Sequence, residues 1–168
     1  MLKYKVGDLI EAAKSGEVHV IAHCCNCLHS MASGIAPLIK EAFPYAYEAD
    51  LETAKADPKK LGTVSYGIAE PEDWTDTVYC PDVFNLYGQY SYTKRRTGGR
   101  DLNYDALYDS LVAMTKKLNE WGTEKLETRI GLPMLGAGLA NGDWDIIEMM
   151  IKKTLCSAGF NVTIYTLN

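Results

Sequence analysis

The sequence predicts an α/β protein, a three-layer α/β/α sandwich on a mixed, mostly parallel sheet. Two observations carry that expectation. Short apolar strand patterns alternate with helical ones across connections of crossover length, which suits parallel pairing. The order strand, small-residue loop, helix also occurs twice, over residues 18–43 and 129–157. The 168 residues fit one domain spanning 1–168, long enough for a real core.

Lys3 to Val6 alternates as a strand, and Asp8 is placed to cap a helix that runs to about Lys14. Ser15-Gly16 ends that helix. Val18 to Ala22 is an apolar, β-branched run of the buried-strand type. After it comes H-C-C-N-C-L-H-S-M-A-S-G-I-A, where Pro37 suits the first turn of a helix reaching Phe43. Pro44 breaks that helix, and Tyr45 to Lys55 reads as the next one, ending before Asp57-Pro58. Leu61 to Ala69 reads as a strand, and Val78 to Tyr87 as a hairpin or a bent strand. Ser91 to Asp101 is polar, basic and glycine-containing, as in a mobile surface loop. A long helix is expected from Asn103 to Trp121, with Leu107, Leu111, Met114 and Leu118 on one face. A strand from Arg129 to Pro133, a helix from Asp143 to Ser157 and a strand from Asn161 to Thr166 complete the series.

The stretch between the last three elements, L-P-M-L-G-A-G-L-A-N-G-D-W-D, is the most informative. Gly136 and Gly138 allow φ > 0 and a close approach of backbone N–H groups to a ligand. A helix N-terminus behind them adds unpaired donors, so the segment reads as a phosphate or pyrophosphate site; the alternative is a tight turn with no ligand. It is not a P-loop, because Asp143 and Trp144 follow Gly142 where Lys and Ser or Thr are required. It is not a dinucleotide fingerprint either. Asn141 occupies the third glycine position, and no acidic residue lies about 20 positions on.

Five cysteines, three of them clustered at Cys24, Cys25 and Cys27, do not make an ordinary disulfide framework and fit a reducing cytoplasm. The N-terminus starts directly in strand pattern rather than as a signal peptide, and no segment has the length of a membrane span. A net charge of −5 argues against broad contact with a nucleic-acid duplex. His23, the cysteines and His29 lack a second paired ligand motif, so no metal is expected. A Cys nucleophile with His23 or His29 as base, or plain buried cysteines at Cys24, Cys80 and Cys156, are the other readings of this cluster. Asn26 offers an amide to a sugar hydroxyl. Asp143 reads as a helix cap or as a carboxylate that activates water. The run Lys94, Arg95, Arg96 and Arg100 reads as a solvated loop or as an anion contact.

Taken together, V-G-D-L, A-H-C-x-N-x-x-x-x-M-A-S-G-I-A, L-P-M-L-G-A-G-L followed by D-W, and the terminal V-T-I-Y-T-L resemble macro domains. The similarity is to the compact single-domain branch that includes phage proteins and the yeast ADP-ribose-1″-phosphate phosphatase. It covers the chain from end to end. It implies ADP-ribose bound across the crest of the sheet, with no cofactor. By position, Asp8 and Leu9 would meet the adenine. Ser33, Gly34, Ile35 and Ala36 would form the first phosphate loop, and Pro133, Leu135, Gly136, Ala137, Gly138 and Leu139 the second. Asn26 would sit at the distal ribose.

The chain also departs from the family. Larger macro domains have N-A-A-N where His23-Cys24-Cys25-Asn26 stands. The branch that strips ADP-ribose from acidic side chains has a Lys and an Asp where Gln89 and Ala140 stand, although Lys94 is close by. His23, Asn26, His29 and Asp143 remain as groups expected near the distal ribose, a set suited to phosphomonoester hydrolysis with His23 or Asp143 directing water. The resemblance leaves two other readings: a non-catalytic reader of ADP-ribose or ADP-ribosylated protein, and a hydrolase of protein adducts or the O-acetyl ester.

Overall fold

The computed structural model describes residues 1–168. Six strands form one sheet: β1 (Leu2–Val6), β2 (Val20–Cys24), β3 (Val64–Gly67), β4 (Asp82–Leu86), β5 (Arg129–Leu132) and β6 (Asn161–Thr166). Their spatial order is β1-β6-β5-β2-β4-β3. Every neighbouring pair is parallel except β3 with β4. The α-helices are α1 (Leu9–Lys14), α2 (Ala36–Ala42), α3 (Pro44–Leu51), α4 (Tyr104–Glu120) and α5 (Trp144–Ile151). None is long and apolar enough to cross a membrane.

The three layers follow from strand alternation. On β2, Val20 and Ala22 join the core shared with α4 and α5, while Ile21 joins the core under α1, α2 and α3. On β5, Ile130 and Leu132 enter the first core. Gly131 faces the second, where an added Cβ would come 2.7 Å from Leu9 Cδ1. The expected face of α4 is the one buried: Leu107, Leu111, Met114 and Leu118 are inaccessible to solvent. Each such side chain contributes about 1.5–3 kcal/mol relative to exposure.

Several boundaries differ from the sequence expectation, each for a tertiary reason. β2 begins and ends two residues later, which draws His23 and Cys24 into the sheet through their pairing with Asn85 and Leu86. The segment before β4 is not a hairpin; Tyr79 N–H donates to Lys14 O and Asp82 N–H to His19 O, tying it to α1 and β2. α3 stops at Leu51, where Thr53 donates to Asp50 O through both its N–H and its hydroxyl. α5 passes at Lys152 into a π-helical turn ending at Cys156.

Behind β2 and β4 lies a buried polar network. Lys60 Nζ is 3.6 Å from Asp50 Oδ1 and 4.3 Å from the centre of the Tyr87 ring, with no hydrogen-bond acceptor of its own. Tyr87 donates its hydroxyl to Asp50 Oδ1 at 2.6 Å. Asn85 donates to Ala46 O and Ser65 Oγ, which leaves its oxygen to accept from His23 Nε2 at 2.7 Å.

Removing one member of a buried pair strands the other charge. Asp50→Ala is expected to cost about 3–5 kcal/mol in urea unfolding, and adding Lys60→Met to it should recover most of that loss. A single-variant loss below about 1 kcal/mol would mean the ammonium is stabilised without the carboxylate.

Candidate ligand-binding cleft at the crest of the sheet

The parallel strands β2 and β5 both end at the crest, and each runs into a loop ahead of a helix. The first loop turns at Gly34, φ 66°, and the second at Gly136, φ 76°, both in the left-handed region. Gly142 N–H donates to Gly136 O at 2.8 Å and closes the second loop. A Cβ at 142 would lie 2.6 Å from Gly136 O, the backbone atom that closes the loop. Gly138 has open space around its Cα. The N–H groups of Gly34, Ile35 and Ala36 find no acceptor in the chain, nor do those of Gly136, Gly138, Leu139 and Ala140. Two runs of free donors on facing loops make an anion cradle.

Between the loops is a cavity of about 200 Å³. It adjoins a groove of about 520 Å³, and Gly34, Ile35, Pro133 and Met134 line both. Asp8 and Leu9 lie on the groove, where the Asp8 carboxylate accepts from Ile10 N–H at 2.8 Å and Glu11 N–H at 3.2 Å and so caps α1. Of the expected ligand-binding residues, Asn26, Ser33, Gly34, Ile35, Ala36, Pro133, Leu135, Gly136, Gly138 and Leu139 line the cavity. Ala137 does not. It packs on the core beneath, and its N–H donates to Met134 O.

The expected reactive groups are distributed differently. Asn26 is on the wall, with Oδ1 accepting from Leu28 N–H at 2.9 Å and Nδ2 donating to Ser30 O at 2.9 Å. One Nδ2 hydrogen is left over for the cavity. His23 is a wall residue only 1% exposed, with its ring held by Asn85 and against Cys25 Sγ at 3.3 Å. Burial pushes its imidazole below the usual range, against the Asn85 hydrogen bond and the Asp50 charge, so it is neutral.

Asp143, expected beside the reacting group, is outside the cavity lining. It caps α5 by accepting from Asp145 N–H, and its own N–H donates to the Tyr104 hydroxyl. The closure at Gly142 carries the chain away from the cavity before Asp143 is reached. His29 also points elsewhere, with Nε2 2.9 Å from Thr53 O.

The same cavity is lined by a carboxylate that the sequence did not single out. Asp101, 9% exposed, lines the wall and accepts from Lys94 N–H through Oδ1. Its own N–H donates to Ala140 O at 3.1 Å, which sets a carboxylate beside the second loop from a distant segment. Gln89, Tyr92, Arg95 and Cys24 also line it, whereas Lys94 lines an outer hollow instead. Burial pushes the Cys24 thiol up to about 12, so it stays protonated. A lone acid closing a basic run, R-D-L-N ahead of a helix cap, was the available signal for Asp101.

No family model matches the chain. It is 40% identical over 150 residues to a 17.5 kDa protein of the tk–vs intergenic region of Enterobacteria phage T4, covering 88% of this chain and 86% of that one. It is 30% identical to the ADP-ribose 1″-phosphate phosphatase of Debaryomyces hansenii, covering 91% and 93%. A macrodomain protein from Streptomyces coelicolor superposes with a TM-score of 0.69 at 25% identity, over 99% of both chains.

The neutral His23 sets an acid-side limit on stability. Below the ordinary imidazole value of about 6.5 the unfolded chain takes up a proton that buried His23 refuses, so stability falls as pH drops from there toward the lowered native value. His19 is also held low, by partial burial and then by Arg129, and adds the same sign. Urea unfolding at pH 7.5 and 5.5 should therefore show a smaller acid loss in His23→Gln than in the parent. Equal losses would mean that His23 is protonated in the native state.

Proposed function

The chain belongs to the macrodomain family, and on that premise we propose that it binds ADP-ribose and hydrolyses ADP-ribose-1″-phosphate to ADP-ribose and phosphate. One observation carries this reading: two runs of free backbone donors line one cavity together with a carboxylate, Asp101, and an amide, Asn26. The donors suit a diphosphate, and the groove at Asp8 and Leu9 suits the adenine. Asn26 then meets the distal ribose. The yeast relative's activity and the full-length match support the same substrate.

In this reading Asp101 orients a water and takes its proton as the water oxygen bonds to phosphorus. The phosphorus–oxygen bond to C1″ breaks, and the sugar oxygen leaves to be protonated from solvent. Phosphoryl transfer of this kind rests on positioning and fixed dipoles more than on a strong nucleophile. His23 acts through position, since its bond to Asn85 holds the strand end that presents Asn26. Gln89 and Ala140 leave no lysine amine in the cleft for an adduct with the sugar, which favours phosphate release over stripping of protein adducts.

Asp101→Asn is expected to lower phosphate release by at least roughly a hundredfold, with ADP-ribose binding retained by calorimetry. Asp143→Ala should keep full turnover and lose about 0.5–2 kcal/mol of stability, the value of a helix cap. Full turnover in Asp101→Asn would put the base elsewhere. If the parent releases nothing from the phosphate, the O-acetyl ester or an ADP-ribosylated protein, yet binds ADP-ribose, the cleft is a reader.

The cradle has its own test. Gly138→Glu should abolish ADP-ribose binding while the protein melts cooperatively, because its side chain enters open cavity space. Gly142→Ala should instead cost about 1–3 kcal/mol by overpacking against the Gly136 backbone oxygen. Normal affinity in Gly138→Glu would remove the diphosphate from the second loop.

A further inference from the structure

We infer that Arg95 reads the terminal phosphate, so that the cleft prefers ADP-ribose with a phosphomonoester on its distal ribose over ADP-ribose itself. This rests on the ADP-ribose reading of the cleft. Lys94, Arg96 and Arg100 are exposed, whereas Arg95 is half-buried and is the one Lys or Arg on the cavity wall. Its Nη1 donates to Ser33 Oγ at 3.2 Å, immediately before Gly34 of the first loop.

The segment that carries Arg95 is closed at its neck and tied to the second loop. Its neck is closed by the antiparallel bridge between Gln89 and Leu102, and by Asn103 N–H donating to Gly88 O at 2.8 Å. Asn141 Nδ2 reaches Gly98 O at 3.3 Å, and both Asp101 and Leu102 donate their N–H to Ala140 O. These contacts hold the backbone of the segment beside the second loop, and the bond to Ser33 brings the guanidinium to the start of the first.

Charge decides what it is for. The diphosphate already has backbone donors from both loops, but a phosphomonoester beside Asp101 would meet a carboxylate in a chain of net charge −5. A guanidinium offers five N–H donors in a planar fork, and Ser33 takes one. The others suit phosphate oxygens, whereas the hydroxyl of unphosphorylated ADP-ribose gains little from them.

The experiment compares the parent with Arg95→Gln and Arg95→Lys. It measures phosphate release from ADP-ribose-1″-phosphate, and calorimetric affinity for that ester and for ADP-ribose. Arg95→Gln should lower affinity or kcat/KM for the phosphate ester at least about tenfold, with ADP-ribose affinity changed less than about threefold and Arg95→Lys in between. Equal losses for both ligands would assign Arg95 to the diphosphate and overturn the inference, as would a parent with no preference for the phosphate ester. A parent that prefers the ester without hydrolysing it, and loses that preference in Arg95→Gln, would uphold the inference while ending the phosphatase reading.

Discussion

The cleft exists because β2 and β5 are parallel neighbours whose following helices leave on opposite faces of the sheet. β2 leads to α2 and α3, whose Ile39, Phe43 and Ala46 fill one core; β5 leads to α5, whose Ile147 and Ile151 fill the other. The two loops must part at the crest, and a crevice opens between them, as is general where an open α/β sheet reverses its winding. The ladder between the strands is short, with Val20 opposite Ile130 and Ile21 opposite Gly131. Past it the loops satisfy few of their own donors, and those free groups are the chemical resource of the site.

That opening needs a rigid base, which the buried polar network beneath His23 supplies. Asn85 spends both kinds of hydrogen-bonding group at once, accepting from His23 and donating to Ala46 O and Ser65 Oγ. This fixes the imidazole as a neutral wall element and holds the end of β2. Asp50 and Lys60 extend the network toward α3 through Tyr87. Such a network rigidifies its surroundings only when each member is satisfied, and here Asn85 and Tyr87 both are.

The segment 90–101 supplies what the two loops lack. Backbone N–H groups can hold a diphosphate, but they cannot accept a proton or offer a full positive charge. In the proposed reading Asp101 and Arg95 bring both functions, and the hydrogen bonds to Ala140 O and Gly98 O set their segment against the second loop. The cleft thus combines a fixed cradle, built at the strand ends, with charged groups delivered by one connection on its rim.

Local chemistry was readable from the residues alone. Asp8 caps its helix because its carboxylate accepts from the first N–H groups, and the apolar spacing of α4 names its buried face. Gly34 and Gly136 sit where the backbone requires positive φ, so both crest loops were visible as small-residue breaks between strand and helix. Each of those signals is complete within a few residues. Only the tertiary structure could decide that Asp101 and Arg95 enter the cavity while Asp143 and His29 leave it. That choice depends on contacts between segments far apart in the chain: Ala140 O taking the Asp101 N–H, Ser33 taking the Arg95 guanidinium, and Tyr104 taking the Asp143 N–H. Sheet order brings such partners together, and no local pattern records it.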